Sequence, residues 1–203
     1  MKIILVAGHG LSNKNAKVAD VGTQAYKAAG EGTLYERDVV RKIARMTGDM
    51  TQLIPNLVCD QLGVETPLQL SKKVEVIWDQ HRSTFGPVDL AIEIHLNGFA
   101  NPSVYGSEVL YYDGDDKAEE YAGIFLNHIL RRVSITKTRG VKGVKSGQNG
   151  AAFLGGLSRK GIPAVLTESV FMTNPATAQA LRYGVLIPEI ALGHASAISE
   201  IAG

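Results

Sequence analysis

Four side chains, His9, Glu36, His95 and Glu168, have the types and positions needed for metal-dependent hydrolysis. Both histidines end short apolar runs that have the character of strands. One glutamate opens a helical pattern, and the other ends a further apolar run. A hydrolytic zinc site needs three protein ligands and an open position for water, with an acid/base group nearby. If the four side chains converge, the chain is a metal-dependent hydrolase with one zinc ion.

Each of these residues also has an ordinary structural explanation. His9 could be a turn histidine between two glycines, His95 a satisfied core residue, and Glu168 a helix cap or a surface glutamate. Their shared position at strand ends favours function, because sites in open α/β sheets form beyond the carboxyl ends of the strands. Glu93 precedes His95 by two residues and so points to the same face of the sheet, where it could orient a ligand imidazole.

Glu36 has the strongest structural alternative. The segment from Thr33 to Glu36 matches a capping box, in which a glutamate bonds back to the start of its own helix. Glu36 also shares a helix face with Val40 and Ile43, which is expected to pack on the sheet. A carboxylate on such a face is costly unless it is paired or bound to a metal, so metal ligation is favoured. Glu31 is a rival ligand that lacks the helical context.

Alternating strand-like and helical patterns predict an α/β fold with a largely parallel sheet. The predicted strands are Ile3 to Ala7, Leu57 to Cys59, Leu90 to Leu96, Ser107 to Tyr112 and Pro163 to Thr167. The predicted helices are Leu34 to Leu53, Thr66 to Thr84, Ala118 to Val133 and Ala151 to Lys160, followed by a mostly helical C-terminal segment with a kink or break at Pro188.

Composition narrows the class of protein further. The 203 residues fit a single domain spanning 1–203, and 45% hydrophobic and 20% charged content is typical of a globular protein. A formal net charge of +1 favours neither nucleic acid nor an anionic membrane as a partner. No apolar stretch is long enough for a membrane span, and no secretory signal is visible. We therefore expect synthesis in the cytoplasm, unless a leader was trimmed.

The segment from Thr136 to Gly150 is predicted to be mostly an exposed loop. It holds four glycines and four basic residues, Lys137, Arg139, Lys142 and Lys145. Such a set is typical of a solvated loop, although it could line a groove for an acidic polymer.

The order of the motifs resembles the zinc-dependent N-acetylmuramoyl-L-alanine amidases of the amidase-3 family. The resemblance spans nearly the whole chain. It rests on Val6-Ala7-Gly8-His9-Gly10, Leu34-Tyr35-Glu36-Arg37-Asp38-Val39, Ile92-Glu93-Ile94-His95-Leu96-Asn97, Arg139-Gly140-Val141-Lys142, Ile162 to Glu168 and Phe171-Met172-Thr173-Asn174-Pro175. Where the family often has a small residue before the Ile-His of the third motif, this chain has Glu93.

That resemblance implies a fold, a site and a substrate. The fold would be a twisted, mostly parallel sheet of about six strands with helices on both faces. His9, Glu36 and His95 would bind Zn²⁺, and Glu168 would be the catalytic glutamate. The substrate would be peptidoglycan, cut between N-acetylmuramic acid and the first L-alanine of the stem peptide.

Three questions stay open at this level. The same site could belong to a zinc peptidase acting on stem peptides, and the fold could serve as a non-catalytic wall-binding module. A phage-type lysis enzyme released from the cytoplasm is expected, and a periplasmic or extracellular bacterial amidase is the competitor. A monomer without membrane insertion is expected in either case.

Overall fold

The computed structural model describes residues 1–12, 14–15, 17–84 and 86–203, which form a central sheet with helices on both faces. The strands are β1 (Lys2–Ala7), β2 (Gly10–Leu11), β3 (Ala19–Asp20), β4 (Val58–Leu62), β5 (Leu90–Asn97), β6 (Ser107–Tyr112), β7 (Thr138–Val144) and β8 (Ala164–Phe171). The helices are α1 (Glu36–Thr51), α2 (Leu70–His81), α3 (Asp116–Arg132), α4 (Ala151–Ser158), α5 (Pro175–Arg182) and α6 (Leu186–Ala202).

The sheet has six strands in the order β4-β1-β5-β8-β6-β7, and β2 pairs with β3 in a separate two-stranded ribbon. Neighbouring strands of the large sheet are parallel except β8 and β6, which are antiparallel. Strands β4, β1, β5 and β8 therefore end at the same edge, while β6 and β7 begin there. This arrangement confirms the predicted α/β fold with a mostly parallel sheet of about six strands.

The core lies on both faces of this sheet. Side chains alternate between faces along β1, so that Ile3 and Leu5 belong to one core cluster and Ile4 and Val6 to the other. The first cluster is completed by α1, α3 and α6, and the second by α2 and α4. Coverage of both faces explains why the central strands read as continuous apolar runs.

The structure corrects the predictions for two segments. The segment read as an exposed loop contains β7, an edge strand that pairs in parallel with β6. The helix predicted from Thr66 begins only at Leu70, because the preceding segment makes hydrogen bonds to residues 11 and 12 instead. There the carbonyl of Leu68 accepts the backbone N–H of Leu11, and the Gln69 side chain donates to the carbonyl of Ser12.

The predicted break at Pro188 was also wrong. Pro188 lies in the first turn of α6, where a missing N–H removes no intrahelical hydrogen bond. The chain breaks instead before Leu186, where Gly184 has a φ of 75° and ends α5.

Among the described residues, no single helix is both long and apolar enough to cross a membrane. Helices α5 and α6 reach the required length and apolarity only as a pair, and they meet at a bend of 90°.

A buried histidine ties α6 to the back of the sheet. The ring of His194 is fully buried, its Nδ1 donates to the carbonyl of Ile190 at 2.8 Å, and the Thr167 hydroxyl donates to its Nε2 at 2.8 Å. Burial lowers the pKa of His194 to about 4 from an ordinary value of 6.5. The ring therefore stays neutral in the folded protein at mildly acidic pH, whereas in the unfolded chain it is protonated.

We expect this histidine to make the fold acid-sensitive. Because the unfolded chain binds the proton first, stability contributed by neutral His194 is present above pH 6.5 and is lost as the pH falls toward 4. At pH 4.5 the loss is about 2 to 3 kcal/mol. Urea unfolding of wild type and of His194→Gln at pH 7 and pH 4.5 measures this loss in the free energy of unfolding. The variant should be less stable at pH 7 and should show a shallower dependence on pH; an equal dependence would contradict the assignment.

Candidate metal centre

The sheet brings the two predicted histidines and Glu168 to one edge. His9 follows β1, while His95 lies near the end of β5 and Glu168 in the middle of β8. The prediction that Glu168 ends its strand was wrong, since β8 continues to Phe171. His95 and Glu168 are nevertheless register partners on adjacent parallel strands. Their side chains therefore lie next to each other on the sheet face that α2 and α4 cover.

Glu36 reaches the same edge from the first residue of α1. The capping-box alternative is overturned, because Tyr35 is the N-cap and the helix has no side-chain cap hydrogen bond. The Glu36 carboxylate instead accepts the backbone N–H groups of Thr23 at 2.8 Å and Leu96 at 3.0 Å. These bonds hold a carboxylate that is 2% exposed in a fixed orientation toward both histidines.

The backbone around His9 is shaped for close approach. His9 itself has a φ of 60°, a left-handed conformation that costs a non-glycine residue about 1 to 2 kcal/mol. Gly8 packs so closely on β5 that a Cβ there would lie 2.5 Å from the carbonyl oxygen of Ile94 and 2.7 Å from the His95 ring. The strained residue and the crowded glycine bring the two imidazoles together, with ring centroids 4.8 Å apart.

One nitrogen of each ring converges on Glu36. His9 Nε2 lies 2.9 Å from Glu36 Oε2, and His95 Nδ1 lies 3.0 Å from Glu36 Oε1. Potential ligand atoms of the three residues all lie within 4.8 Å of one another, a spacing that suits a single metal ion. The other nitrogens face carboxylates of their own: His9 Nδ1 lies 3.1 Å from Asp20 Oδ2, and His95 Nε2 lies 3.4 Å from Glu93 Oε2.

The electrostatics of this cluster fit a cation. Burial raises the pKa of Glu36, but hydrogen bonds from His9 and His95 outweigh it and hold that pKa far below its ordinary value. Burial lowers the pKa of His95, but the charges of Glu93 and Glu36 hold it well above its ordinary value. Carboxylates thus dominate the site, and positive charge is strongly favoured where His9 Nε2 and His95 Nδ1 meet Glu36.

Glu168 has a different environment from the other carboxylates. Its Oε2 is shielded from solvent, and no described group lies within hydrogen-bonding distance of that atom. Burial raises the pKa of Glu168 to about 8, although nearby His95 opposes the shift. A carboxyl group whose pKa lies near neutrality is suited to take up and release a proton.

The four residues share an open cavity of about 500 Å³ at this edge of the sheet. Its wall also includes Leu68, Asn97 and Phe153. A cavity of this size accommodates a small molecule or part of a larger one.

Comparison with known families identifies the family of this chain. The sequence profile described as N-acetylmuramoyl-L-alanine amidase, amidase-3, matches residues 3–200. The chain belongs to the amidase-3 family. Members of this family are generally zinc-dependent, which agrees with a His-Glu-His cluster able to hold a metal ion.

Individual relatives of this amidase-3 chain agree with the assignment. The endolysin of Bacillus phage SPP1 is 26% identical over 179 residues, which cover 86% of this chain but only 60% of the endolysin. An N-acetylmuramoyl-L-alanine amidase from Clostridium difficile 630 superposes with a TM-score of 0.77 at 21% identity, covering 98% of this chain and 95% of that one. The catalytic domain of the amidase CwlV from Bacillus (Paenibacillus) polymyxa gives 0.77 at 21%, covering 99% and 98%.

Two residues of the amidase site were missed by sequence reasoning. Asp20 lies in β3 and reaches His9 across the small ribbon, a pairing that no local pattern indicates. Lys73 in α2 is only 2% exposed and lies 3.0 Å from Glu93. Its signal was present, since Lys73 shares the helix face of Leu70 and Ile77, where a charge needs a partner.

The rival residues lie elsewhere. Glu31 pairs with Arg182 at 3.1 Å and is not near the histidines. In the basic set, Arg139 and Lys142 lie 2.9 and 2.6 Å from Glu108, the register partner of Glu168, so these two cations are paired beside the site.

Gly22 provides a test of how tightly the site is packed. With a φ of 66°, a Cβ at Gly22 would lie 2.5 Å from the His9 ring and 2.6 Å from Glu36 Oε2. We expect Gly22→Ala to weaken metal binding at this cluster by displacing both groups. Gly30→Ala is the matched control, because Gly30 has a φ of 85° and no described atom within 4 Å of such a Cβ. Both variants carry backbone strain of about 1 kcal/mol. In isothermal titration with zinc, only Gly22→Ala should bind the ion more weakly than wild type.

Proposed function

We propose that this chain hydrolyses the amide bond between N-acetylmuramic acid and L-alanine in peptidoglycan, with zinc held by His9, Glu36 and His95. Glu168 is the catalytic acid/base. One observation carries the proposal: three ligand groups converge on one point, and beside them a shielded carboxylate oxygen of Glu168 has no partner among the described residues. Membership of the amidase-3 family supports the substrate.

The residues present fit zinc well. Two imidazoles and one carboxylate are a ligand set of catalytic zinc sites, which leave the fourth position for water or substrate. His9 Nδ1 and His95 Nε2, the ring nitrogens that do not face Glu36, each face another carboxylate, an arrangement common among zinc-bound histidines. Bound zinc would supply a Lewis acid that makes a water molecule more acidic and polarises the amide carbonyl.

Glu168 performs the proton transfers. It takes a proton from the attacking water, since its shielded oxygen accepts no other described hydrogen bond. It then returns the proton to the alanine nitrogen as the amide bond breaks. Its raised pKa favours holding that proton between the two steps, and a bound cation would lower the pKa again so that the carboxylate form is available.

One relative supports a proposal for the biological setting. The chain spans 60% of the length of the phage endolysin that it matches. The activity of that whole protein is therefore part of the proposal for this chain. We propose that the chain acts on the cell wall as a phage-type lysis enzyme. We also infer that residues 1–203 act as one catalytic domain, because both core clusters pack on the same sheet. The expectation that the chain is a monomer stays a prediction.

Digestion of purified cell walls tests the activity. The products are analysed by mass spectrometry, with and without a zinc chelator, and the chelated sample is restored with zinc. Release of whole stem peptides that begin with L-alanine, in a zinc-dependent manner, is expected. Cleavage within or at the end of the stem peptide would indicate a peptidase instead. Binding to the walls without any soluble product would indicate a wall-binding module.

A further inference from the structure

The histidines of the metal centre have matched surroundings that differ in burial. Each ring presents its inner nitrogen to Glu36 and its outer nitrogen to a second carboxylate. Asp20, which faces His9, has a side chain that is 47% exposed, whereas the side chain of Glu93, which faces His95, is only 4% exposed. A buried carboxylate requires a separate explanation, because its charge is costly away from water.

Lys73 supplies the compensating charge. Its Nζ donates to Glu93 Oε1 at 3.0 Å and to the carbonyl oxygen of Ala7 at 2.7 Å. Lys73 therefore links the end of β1, two residues before His9, to the strand that carries His95. Lys73 and Glu93 thus form an ion pair in which both side chains are shielded from water, at 2% and 4% exposed.

The two oxygens of Glu93 have separate tasks. Oε1 accepts from Lys73, and Oε2 faces His95 Nε2. Without a metal, Nδ1 lies within hydrogen-bonding distance of Glu36. When a metal takes the lone pair of Nδ1, the remaining proton of the neutral imidazole is on Nε2, where the Glu93 carboxylate accepts it. Buried ion pairs of this kind contribute little net stability compared with apolar residues of similar size, so stability alone does not account for the pair.

We propose that Glu93 and Lys73 are positioning residues that fix His95 with Nδ1 toward the metal site. This inference rests on the proposed zinc ligands. Asp20 provides the corresponding contact for His9 from the exposed side of the site. The buried pair fixes the ring without direct contact with substrate, and its loss should therefore change metal affinity rather than the acid/base step.

Zinc affinity, measured by competition with a chromogenic chelator, tests the proposal in three variants. Glu93→Gln leaves one acceptor oxygen for Lys73 and His95, each of which needs an acceptor. The double variant Lys73→Met/Glu93→Leu removes both charges together and so avoids an unpaired buried charge. Glu75→Gln is the control, because Glu75 pairs with Lys72 at 2.6 Å on the exposed side of the same helix. We expect the first two to raise the zinc dissociation constant by about 10- to 100-fold and the control to leave it unchanged.

Nitrogen NMR of isotope-labelled histidine gives a second readout that a purely structural role would not change. In zinc-loaded wild type His95 should be protonated on Nε2, and in the double variant the signal should shift. A double variant that folds and binds zinc as tightly as wild type would overturn the inference, as would protonation of wild-type His95 on Nδ1. If wild type itself binds no zinc, the proposed function fails as well; if only the variants are unchanged, this inference alone fails.

Discussion

Glu168→Gln is expected to lower kcat/KM on peptidoglycan by about 10²- to 10⁴-fold while zinc content stays at the wild-type level. Glutamine has nearly the same shape but cannot take up a proton from water or return it to the leaving nitrogen. Glu168 makes no described hydrogen bond through Oε2, so the substitution breaks none at that atom. Turbidity loss of cell-wall suspensions gives the rate, and atomic absorption of the purified protein gives the zinc content.

Glu108→Gln is a demanding control for that experiment. Glu108 is the register partner of Glu168 on β6 and is itself buried, but Arg139 and Lys142 already engage its carboxylate. Both cations are at least a third exposed and remain hydrated when the carboxylate is neutralised. This variant should keep most of the activity. Cleavage by Glu168→Gln at the wild-type rate would remove Glu168 from the mechanism.

His95→Ala is expected to abolish zinc binding and, with it, activity. The substitution removes one of three ligand groups, while Glu36 keeps its bonds to the backbone of Thr23 and Leu96. The protein should therefore still fold. Because a ligand that binds only the folded state raises stability, added zinc should raise the Tm of wild type and leave that of His95→Ala unchanged.

His81→Ala controls for the loss of a partly buried histidine. His81 lies in α2, where its Nδ1 lies 3.2 Å from the Val88 backbone N–H and its ring stacks on Trp78. This variant should be less stable than wild type but should respond to zinc as wild type does. A zinc-induced rise in Tm that persists in His95→Ala would exclude His95 from the ligand set.

The convergence of the site residues was predictable because it follows from strand direction. His9 and His95 lie at or just beyond the ends of apolar runs, and parallel strands end at one edge. Glu36 was predictable as well, since a carboxylate on an apolar helix face requires a partner. Glu168 was selected because it was expected to end its strand, but the strand continues for three residues beyond it, through Ser169 to Phe171. Its catalytic role stays a prediction.

The remaining features depend on contacts between distant segments. Strand β7 contains glycine and exposed basic residues and lies at the sheet edge, so its sequence lacks the apolar alternation of a central strand. The start of α2 at Leu70 depends on hydrogen bonds to residues 11 and 12. Asp20 and Lys73 take part in the site only because the ribbon and α2 fold against it. Local patterns carry no information on such long-range pairings.

The reversed direction of β6 places a variable surface connection next to the fixed pairing of β5 and β8. Because β6 runs against β8, the connection that enters β6 starts at the cavity, where Gly98 is part of the wall. Lys137, just before β7, contacts Tyr105 of that connection through a cation–π interaction. Insertions or deletions in the connection that enters β6 would change the surface beside the cavity without altering the register of His95 against Glu168. The length of this surface segment can thus vary between relatives while the sheet holds His95 and Glu168 side by side.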